Sequence, residues 1–185
     1  MLRGKRILIV GSEGVSGQAA AHLAHLLGAR LAVADRQKEK ETAAEYEDLR
    51  GLPEDEWLPR FKPDGIITAP GVPLDRPFFQ EAARQKIPVF GENDLGYRVL
   101  QATRRPSPFY VALTGTDGKS TTAALIAHLC RTLLHVTAHP CGNFGEPLSA
   151  IASQHLTGGM VPQVLVVELS SFQLELVGEF RACIS

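Results

Sequence analysis

The chain has 185 residues, of which 44% are hydrophobic and 21% charged, and its 19 basic and 20 acidic residues give a formal net charge of -1. This composition is ordinary for a globular protein and allows one large domain or two small ones. A charge near zero gives no net attraction for nucleic acid or an anionic membrane, so neither is an expected partner. An anionic ligand must therefore be held by local geometry.

The cysteines and the amino terminus favour a cytoplasmic protein. Cys130, Cys141 and Cys183 form no CxxC pair, and their odd number argues against a disulfide framework or a structural zinc site. The first apolar run, residues 7–10, is too short for a signal peptide core or a membrane span. Reduced thiols in a cytoplasm fit these features.

In the first half of the chain, short apolar runs alternate with segments of helical periodicity, which predicts a parallel sheet covered by helices. The predicted strands are Arg6–Val10, Arg30–Ala34, Gly65–Thr68 and Pro88–Phe90. The predicted helices are Ser16–Leu27, Ala43–Arg50 and Pro77–Gln85. We therefore expect a Rossmann-like α/β domain over residues 1–93.

The run RRPSP, residues 104–108, separates this domain from a second one. Its prolines remove backbone donors and disfavour helix, which predicts an extended linker over residues 94–108. In the second domain, residues 109–185, we predict the elements in the order strand Phe109–Leu113, helix Lys119–Leu134, strand Val136–Ala138, helix Pro147–Gln154 and strand Val164–Glu168. Residues 181–185 resemble the start of another strand, so we expect an unfinished sheet and a truncated chain.

Residues 114–122 have the pattern of a phosphate-binding loop, since an apolar strand precedes them and a helix-favouring run follows. Two glycines let backbone amides approach an anion, and the helix adds its positive end. Lys119 can reach the β- and γ-phosphates of a nucleotide, and Ser120 can ligate Mg²⁺. A plain strand-to-helix turn with a solvated lysine is the alternative. The residues predicted to bind ATP are Thr114, Gly115, Thr116, Asp117, Gly118, Lys119, Ser120 and Thr121.

Leu113 stands where the general pattern GxxxxGK[ST] has its first glycine, so the loop is the shorter form GTxGK[ST]. This form resembles the loop of the peptidoglycan-precursor (Mur) ligases and of the folylpolyglutamate synthetases, which join an amino acid to a carboxylate through an acyl phosphate. VLVVELSSFQLE, residues 164–175, and CGNFGEPLS, residues 141–149, are similar to segments of the D-glutamate-adding Mur ligases. The fold implied is a Rossmann-like domain followed by a partial P-loop-type α/β domain with a parallel sheet.

Glu168 ends a predicted strand, and the carboxyl ends of parallel strands border the ligand crevice. A carboxylate there suits Mg²⁺, although an acid at a helix start is the plainer interpretation. The resemblance implies that Lys119 and Glu168 are catalytic and that Ser120 and Glu168 bind the metal. It also assigns Asn143, Ser170 and Gln173 to the substrate, while Asn143 beside glycine is in itself good turn chemistry.

By the same resemblance, ATP and Mg²⁺ serve the joining of D-glutamate to UDP-N-acetylmuramoyl-L-alanine in peptidoglycan precursor synthesis. A further metal-binding histidine, a modified lysine and a third domain are implied beyond Ser185, so this portion is expected to be inactive alone. Two alternatives stay open: a sister ligase that adds a different amino acid or extends folate, and a non-catalytic nucleotide-binding fragment.

The front domain carries a glycine loop, GSEGVSG at residues 11–17, with Asp35 at the end of the second predicted strand. This weakly matches a dinucleotide site, but Glu13 replaces a glycine, and its carboxylate would repel a diphosphate unless it points away. The Mur resemblance implies the UDP end of the substrate instead, with the diphosphate near Gly14–Gly17.

In that interpretation Ser16 faces the diphosphate, Asp35 and Arg36 lie near the uracil, and Pro70 and Gly71 belong to a loop that closes on the nucleotide. Two departures bear on these contacts. The glycine loop is one residue longer than the usual form of the family, and Ala69 stands where the family has serine.

Overall fold

The computed structural model describes residues 2–38 and 41–185. By its internal contacts the chain divides into two compact units, Met1–Glu92 and Asn93–Ser185. Each unit is a parallel sheet with helices, which confirms the predicted α/β class. Among the described residues, no helix has both the length and the apolar character needed to cross a membrane.

The front unit is built on a sheet whose central strand is also its first. Its described strands are β1 (Arg6–Val10), β2 (Arg30–Ala34), β3 (Glu47–Asp48), β4 (Gly65–Thr68) and β5 (Val89–Gly91). Its described helices are α1 (Val15–Leu26), α2 (Glu54–Phe61) and α3 (Pro77–Arg84). The strand order is β3-β2-β1-β4-β5, with every pairing parallel. The order reverses at β1, and a ligand crevice forms at such a point in parallel sheets.

One predicted element of the front unit is wrong. Residues 43–50 are not a helix; they form a turn and the short strand β3. Asp48 pairs with Val33 of β2, and the backbone amide of Leu49 donates to the Val33 carbonyl at 2.9 Å. Leu49 is fully buried in the front core, so tertiary packing overrides the local helical pattern here.

The second unit is organised around a smaller sheet. Its described strands are β6 (Phe109–Leu113), β7 (Ala138–Gly142) and β8 (Val164–Glu168), in the order β6-β8-β7 and parallel throughout. Helix α4 (Glu92–Thr103) starts at the last residue of the front unit, and the remaining helices are α5 (Lys119–Leu133), α6 (Leu148–Leu156) and α7 (Ser171–Leu174).

Two predictions for this half need correction. Residues 94–103, expected as part of an extended linker over 94–108, are helical and end before the prolines. The strand expected at 136–138 begins at Ala138 and continues to Gly142, with Pro140 in its middle. β7 lies at the edge of the described sheet order, and an edge strand tolerates a residue without a backbone donor.

Helix α4 packs within the second unit. The buried carboxylate of Asp94 accepts from the amide of Glu179 at 2.7 Å and from Nε of Arg98 at 2.8 Å. Tyr97 lies edge-on to Tyr110 and Phe180, with ring centroids 5.1 and 5.2 Å apart. These contacts also hold the segment that follows α7. Beyond it, the backbone of residues 183–184 forms hydrogen bonds with β6, and Ile184 makes an isolated β-bridge with Val111.

Candidate functional site

The predicted phosphate loop joins β6 to α5 in the second unit. Residues 114–118 are exposed, and Gly118 caps the helix with a φ of 74°. A Cβ added to Gly118 would meet no atom within 4 Å, so glycine is favoured there by backbone conformation and not by space. The first amides of a helix have no partner within it, so this end of α5 offers donors to an anion.

Lys119 adds a positive charge to this loop. Its Nζ donates to the carbonyl oxygens of Gly115, at 2.8 Å, and Thr116, at 3.2 Å. The side chain therefore folds back over the loop and does not extend into solvent. The ammonium group lies beside the loop backbone, where the charge can act on a bound phosphate.

Glu168 is the centre of the site in the second unit. Its side chain is 1% exposed, and its two oxygens accept from different residues. Ser120 Oγ donates to Oε2 at 2.8 Å, and Asn143 Nδ2 donates to Oε1 at 2.8 Å. The structure thus brings together Ser120 and Glu168, the predicted metal-binding pair, and adds Asn143 to them.

The strand register explains why these residues meet. Leu113 and Gly142, the last residues of β6 and β7, are both register partners of Glu168, the last residue of β8. The loop with Ser120 and the turn with Asn143 therefore begin on either side of the carboxylate. At Gly142 (φ 91°), a Cβ would lie 2.5 Å from the Glu168 carbonyl oxygen, so a larger residue there would displace the strand end.

Ser170 and Gln173 bond to each other as a capping box at the start of α7. The backbone amide of Gln173 donates to Ser170 Oγ at 3.3 Å, and the backbone amide of Ser170 donates to Gln173 Oε1 at 2.8 Å. Both side chains thus have a local role in ending β8 and starting α7. Their substrate contacts stay a prediction.

The donor set around Glu168 suits a hard cation. A carboxylate and a hydroxyl are oxygen ligands of the kind Mg²⁺ prefers, and nucleotide phosphates commonly complete its coordination. Within residues 2–38 and 41–185, no group of three or more His, Cys, Asp or Glu side chains could hold a metal ion. A cation at Glu168 would accordingly take further ligands from a phosphate or from water.

In the front unit, the glycine loop lies against the loop that follows β4. A Cβ on Gly11 would come within 2.9 Å of both Ala69 Cβ and Val72 Cγ2. A Cβ on Gly17 would lie 2.1 Å from the Gly11 carbonyl oxygen, so α1 packs closely on the end of β1. The segment with Pro70 and Gly71 is therefore next to the loop, as a site formed by both requires.

The remaining predicted residues of the front unit have partners of their own. Asp35 accepts from the amide of Glu13 at 3.1 Å and from that of Gln37 at 3.3 Å. Arg36 is largely exposed and pairs with Glu54 at 3.1 Å. Ser16 is half-buried as the second residue of α1. Asp35 thus helps to shape the loop, whereas Arg36 is directed at α2.

An ion network beside this loop was missed by the sequence analysis. Arg50 Nη1 lies 2.7 Å from Glu13 Oε1, while Nε and Nη2 donate to the two oxygens of Asp48 at 2.8 and 3.0 Å. Lys38 Nζ lies 2.9 Å from Asp48. Hydrogen bonding from Arg50 holds the pKa of Asp48 well below its usual range. The acidic residue in a glycine loop was the signal that a basic partner must exist.

No protein-family model matches the chain. A UDP-N-acetylmuramoylalanine-D-glutamate ligase from Synechococcus sp. (strain JA-3-3Ab) is 37% identical over 170 residues, which cover 88% of this chain and 34% of that protein. A ligase of the same name from Anaeromyxobacter dehalogenans (strain 2CP-C) is 38% identical over 186 residues, covering 98% of this chain and 38% of the relative. Over most of its own length the chain is thus similar to curated Mur ligases at 37% to 38% identity.

A solved Mur ligase supports the fold independently. A murein peptide ligase from Psychrobacter arcticus 273-4 superposes with a TM-score of 0.50 at 16% identity, covering 91% of this chain and 38% of that one. At this identity the likeness concerns the fold alone. The chain spans 34% to 38% of the length of the two Mur ligase relatives described above.

Replacing Asn143 with aspartate should destabilise the second unit at pH 7 more than replacing it with alanine. Alanine removes one donor from a buried carboxylate, which costs about 1–3 kcal/mol. Aspartate also places a second carboxylate against Glu168, and two carboxylates that share one site repel each other until one of them is protonated. The folded form then binds protons more readily than the unfolded chain, so stability returns as the pH falls.

Urea unfolding at pH 7 and pH 5, followed by circular dichroism, measures this difference. We expect the deficit of Asn143→Asp to shrink at pH 5 and that of Asn143→Ala to change little. The same pH response in both variants would mean that Glu168 and residue 143 do not interact as a charge pair.

Proposed function

We propose that this protein is an ATP-dependent ligase that joins D-glutamate to UDP-N-acetylmuramoyl-L-alanine. The names of its relatives state this joining reaction. The observation that carries the proposal is the meeting of Ser120 and Asn143 on the buried carboxylate of Glu168, directly beside a glycine-rich strand-to-helix loop. A carboxylate and a hydroxyl at the N-terminus of a helix suit a nucleotide with its cation.

In this proposal the loop and the first turn of α5 hold the phosphates of ATP. Backbone amides between Gly115 and Ser120 would donate to phosphate oxygens, and Lys119 would offset their charge. Ser120 and Glu168 would provide oxygen ligands to Mg²⁺. When bound, ATP supplies the phosphoryl group that activates the substrate carboxylate, and Mg²⁺ neutralises charge on the phosphates. The protein contributes positioning and charge stabilisation.

The front unit would hold the UDP portion of the substrate. The glycine loop and the N-terminus of α1, with Ser16, would bind the diphosphate, and the segments with Asp35 and with Pro70 and Gly71 would border the uridine. The switch in strand order at β1 supports this location, since a ligand crevice forms at such a point in parallel sheets. The close packing at Gly11 also places the segment with Pro70 and Gly71 beside the glycine loop.

Substituting Lys119 should weaken the binding of Mg-ATP. A charge-assisted contact to phosphate is worth about 1.5–3 kcal/mol, which corresponds to roughly 10- to 100-fold in affinity. Calorimetric titration of the parent and of Lys119→Ala measures the loss, with Lys5→Ala as a control for removal of an exposed lysine in the front unit. Unchanged affinity in Lys119→Ala would exclude this loop as the ATP site.

Substituting Glu168 tests the cation. Glu168→Gln keeps the size of the side chain and removes its charge, so we expect it to abolish most of the gain in ATP affinity that Mg²⁺ gives the parent. The exposed Glu175→Gln is the matched control. Titrations with ATP in Mg²⁺ and in EDTA compare the variants, and an undiminished Mg²⁺ effect in Glu168→Gln would rule out Glu168 as a ligand.

Turnover tests the reaction itself. We expect this chain, at little more than a third of the length of the two ligase relatives, to bind nucleotide but to release phosphate far more slowly than a full-length ligase. A phosphate-release assay with ATP, UDP-N-acetylmuramoyl-L-alanine and D-glutamate measures this, and turnover equal to that of a full-length ligase would refute the expectation. A panel of other amino acid acceptors, assayed on a full-length relative, separates the D-glutamate ligase from a sister enzyme.

A further inference from the structure

The glycine loop of the front unit contains a carboxylate close to where the proposed function requires a diphosphate. Glu13 lies between Gly11 and Gly14, at the position where a dinucleotide loop has glycine. Two negative groups close together at a protein surface repel each other, and at short separation this repulsion reaches up to several kcal/mol. The loop can accept a diphosphate only if this side chain is directed elsewhere.

Arg50 holds the Glu13 carboxylate in an ion pair, with Arg50 Nη1 2.7 Å from Glu13 Oε1. The guanidinium side chain is 4% exposed and the Glu13 side chain 11%, so solvent screens this ion pair little. Arg50 is fixed by a two-point contact with Asp48, through Nε and Nη2, which leaves Nη1 directed at Glu13. A planar guanidinium is suited to joining two carboxylates in this way.

The backbone of Glu13 is fixed independently of its side chain. Its amide donates to Asp35 at 3.1 Å, and the neighbouring Gly11 is packed against Ala69 and Val72. Loss of Arg50 should therefore change the direction of the Glu13 carboxylate more than the path of the loop. The bond to Asp35 holds the backbone of Glu13, whereas the ion pair with Arg50 holds its carboxylate.

We infer that Arg50 is a positioning residue for the diphosphate: it holds the Glu13 carboxylate away from the anion and so allows an acidic glycine loop to bind UDP. This inference rests on the proposed role of the front unit. Arg50 itself touches no ligand in this account. Most of its effect on affinity passes through the charge of Glu13.

A double-mutant cycle with UDP as the probe tests the inference. Calorimetry would compare the parent with Arg50→Met, Glu13→Gln and the double variant. We expect Arg50→Met to bind UDP roughly 10- to 100-fold more weakly, since it releases one charge beside a polyanion. Glu13→Gln should bind within about threefold of the parent, and adding it to Arg50→Met should restore most of the loss.

Trp57 reports whether the front unit is folded in each variant, because it is the sole tryptophan and is 1% exposed in the front core. If Arg50→Met shows the emission of an exposed indole, Arg50→Lys replaces it in the cycle. Lysine keeps the charge without the two-point fork, so a smaller loss of about three- to tenfold is expected, again reversed by Glu13→Gln.

The outcomes separate this inference from the proposed function. If the parent binds UDP and the folded Arg50 variant binds equally well, or if Glu13→Gln fails to restore a loss, the inference is overturned and the role of the front unit stands. If the folded parent does not bind UDP, the proposed role of the front unit fails and the inference fails with it.

Discussion

Burial of the Glu168 carboxylate is the constraint around which the second unit is built. A carboxylate removed from water is costly unless hydrogen bonds replace its hydration. Here Ser120 and Asn143 each donate to one of its oxygens, and the backbone on either side is aligned because Leu113 and Gly142 share a register position with Glu168. The contacts that offset this burial therefore also gather the candidate ligands, so stability and site geometry depend on the same three side chains.

The two units satisfy one electrostatic requirement in different ways. Both have a glycine-rich turn between a strand and a helix at the carboxyl end of a parallel sheet, where backbone amides favour an anion. In the second unit Lys119 belongs to the turn and strengthens this preference. In the front unit Glu13 belongs to the turn and opposes it, and the compensating charge, Arg50, comes from residues that follow β3. The front unit therefore needs a long-range contact, which the second unit does not.

The sequence was informative where the signal is local. Helix α5 and the glycine turn before it were predicted within one residue, because glycine, lysine and a hydroxyl residue at fixed spacing act through their own backbone. The short strand β3 was missed within residues 43–50, because it exists only by pairing with β2. Helix α4 was missed because two prolines after it suggested a linker, although they act on the residues at its end and not on its whole length.

The same distinction applies to the candidate sites. The rule that strand ends meet at one edge of a parallel sheet predicted Glu168 beside the phosphate loop. Its pairing with Ser120 was implied by the family resemblance. The bond of Asn143 to Glu168 depends on the register of β7, which began two residues later than its apolar run suggested. The Arg50–Glu13 pair joins residues 37 positions apart, so no short pattern could reveal it.

The contacts of Ser120 and Lys119 leave free the bonding capacity that a nucleotide would use. A hydroxyl has one donor and two lone pairs, so the bond from Ser120 to Glu168 leaves its oxygen able to face a cation. An ammonium group has three donors, and Lys119 gives two to the carbonyls of Gly115 and Thr116. The third can be given to a phosphate while the loop keeps its shape. The arrangement therefore needs little reorganisation to bind an anion with its cation, which is the condition under which binding energy is best retained.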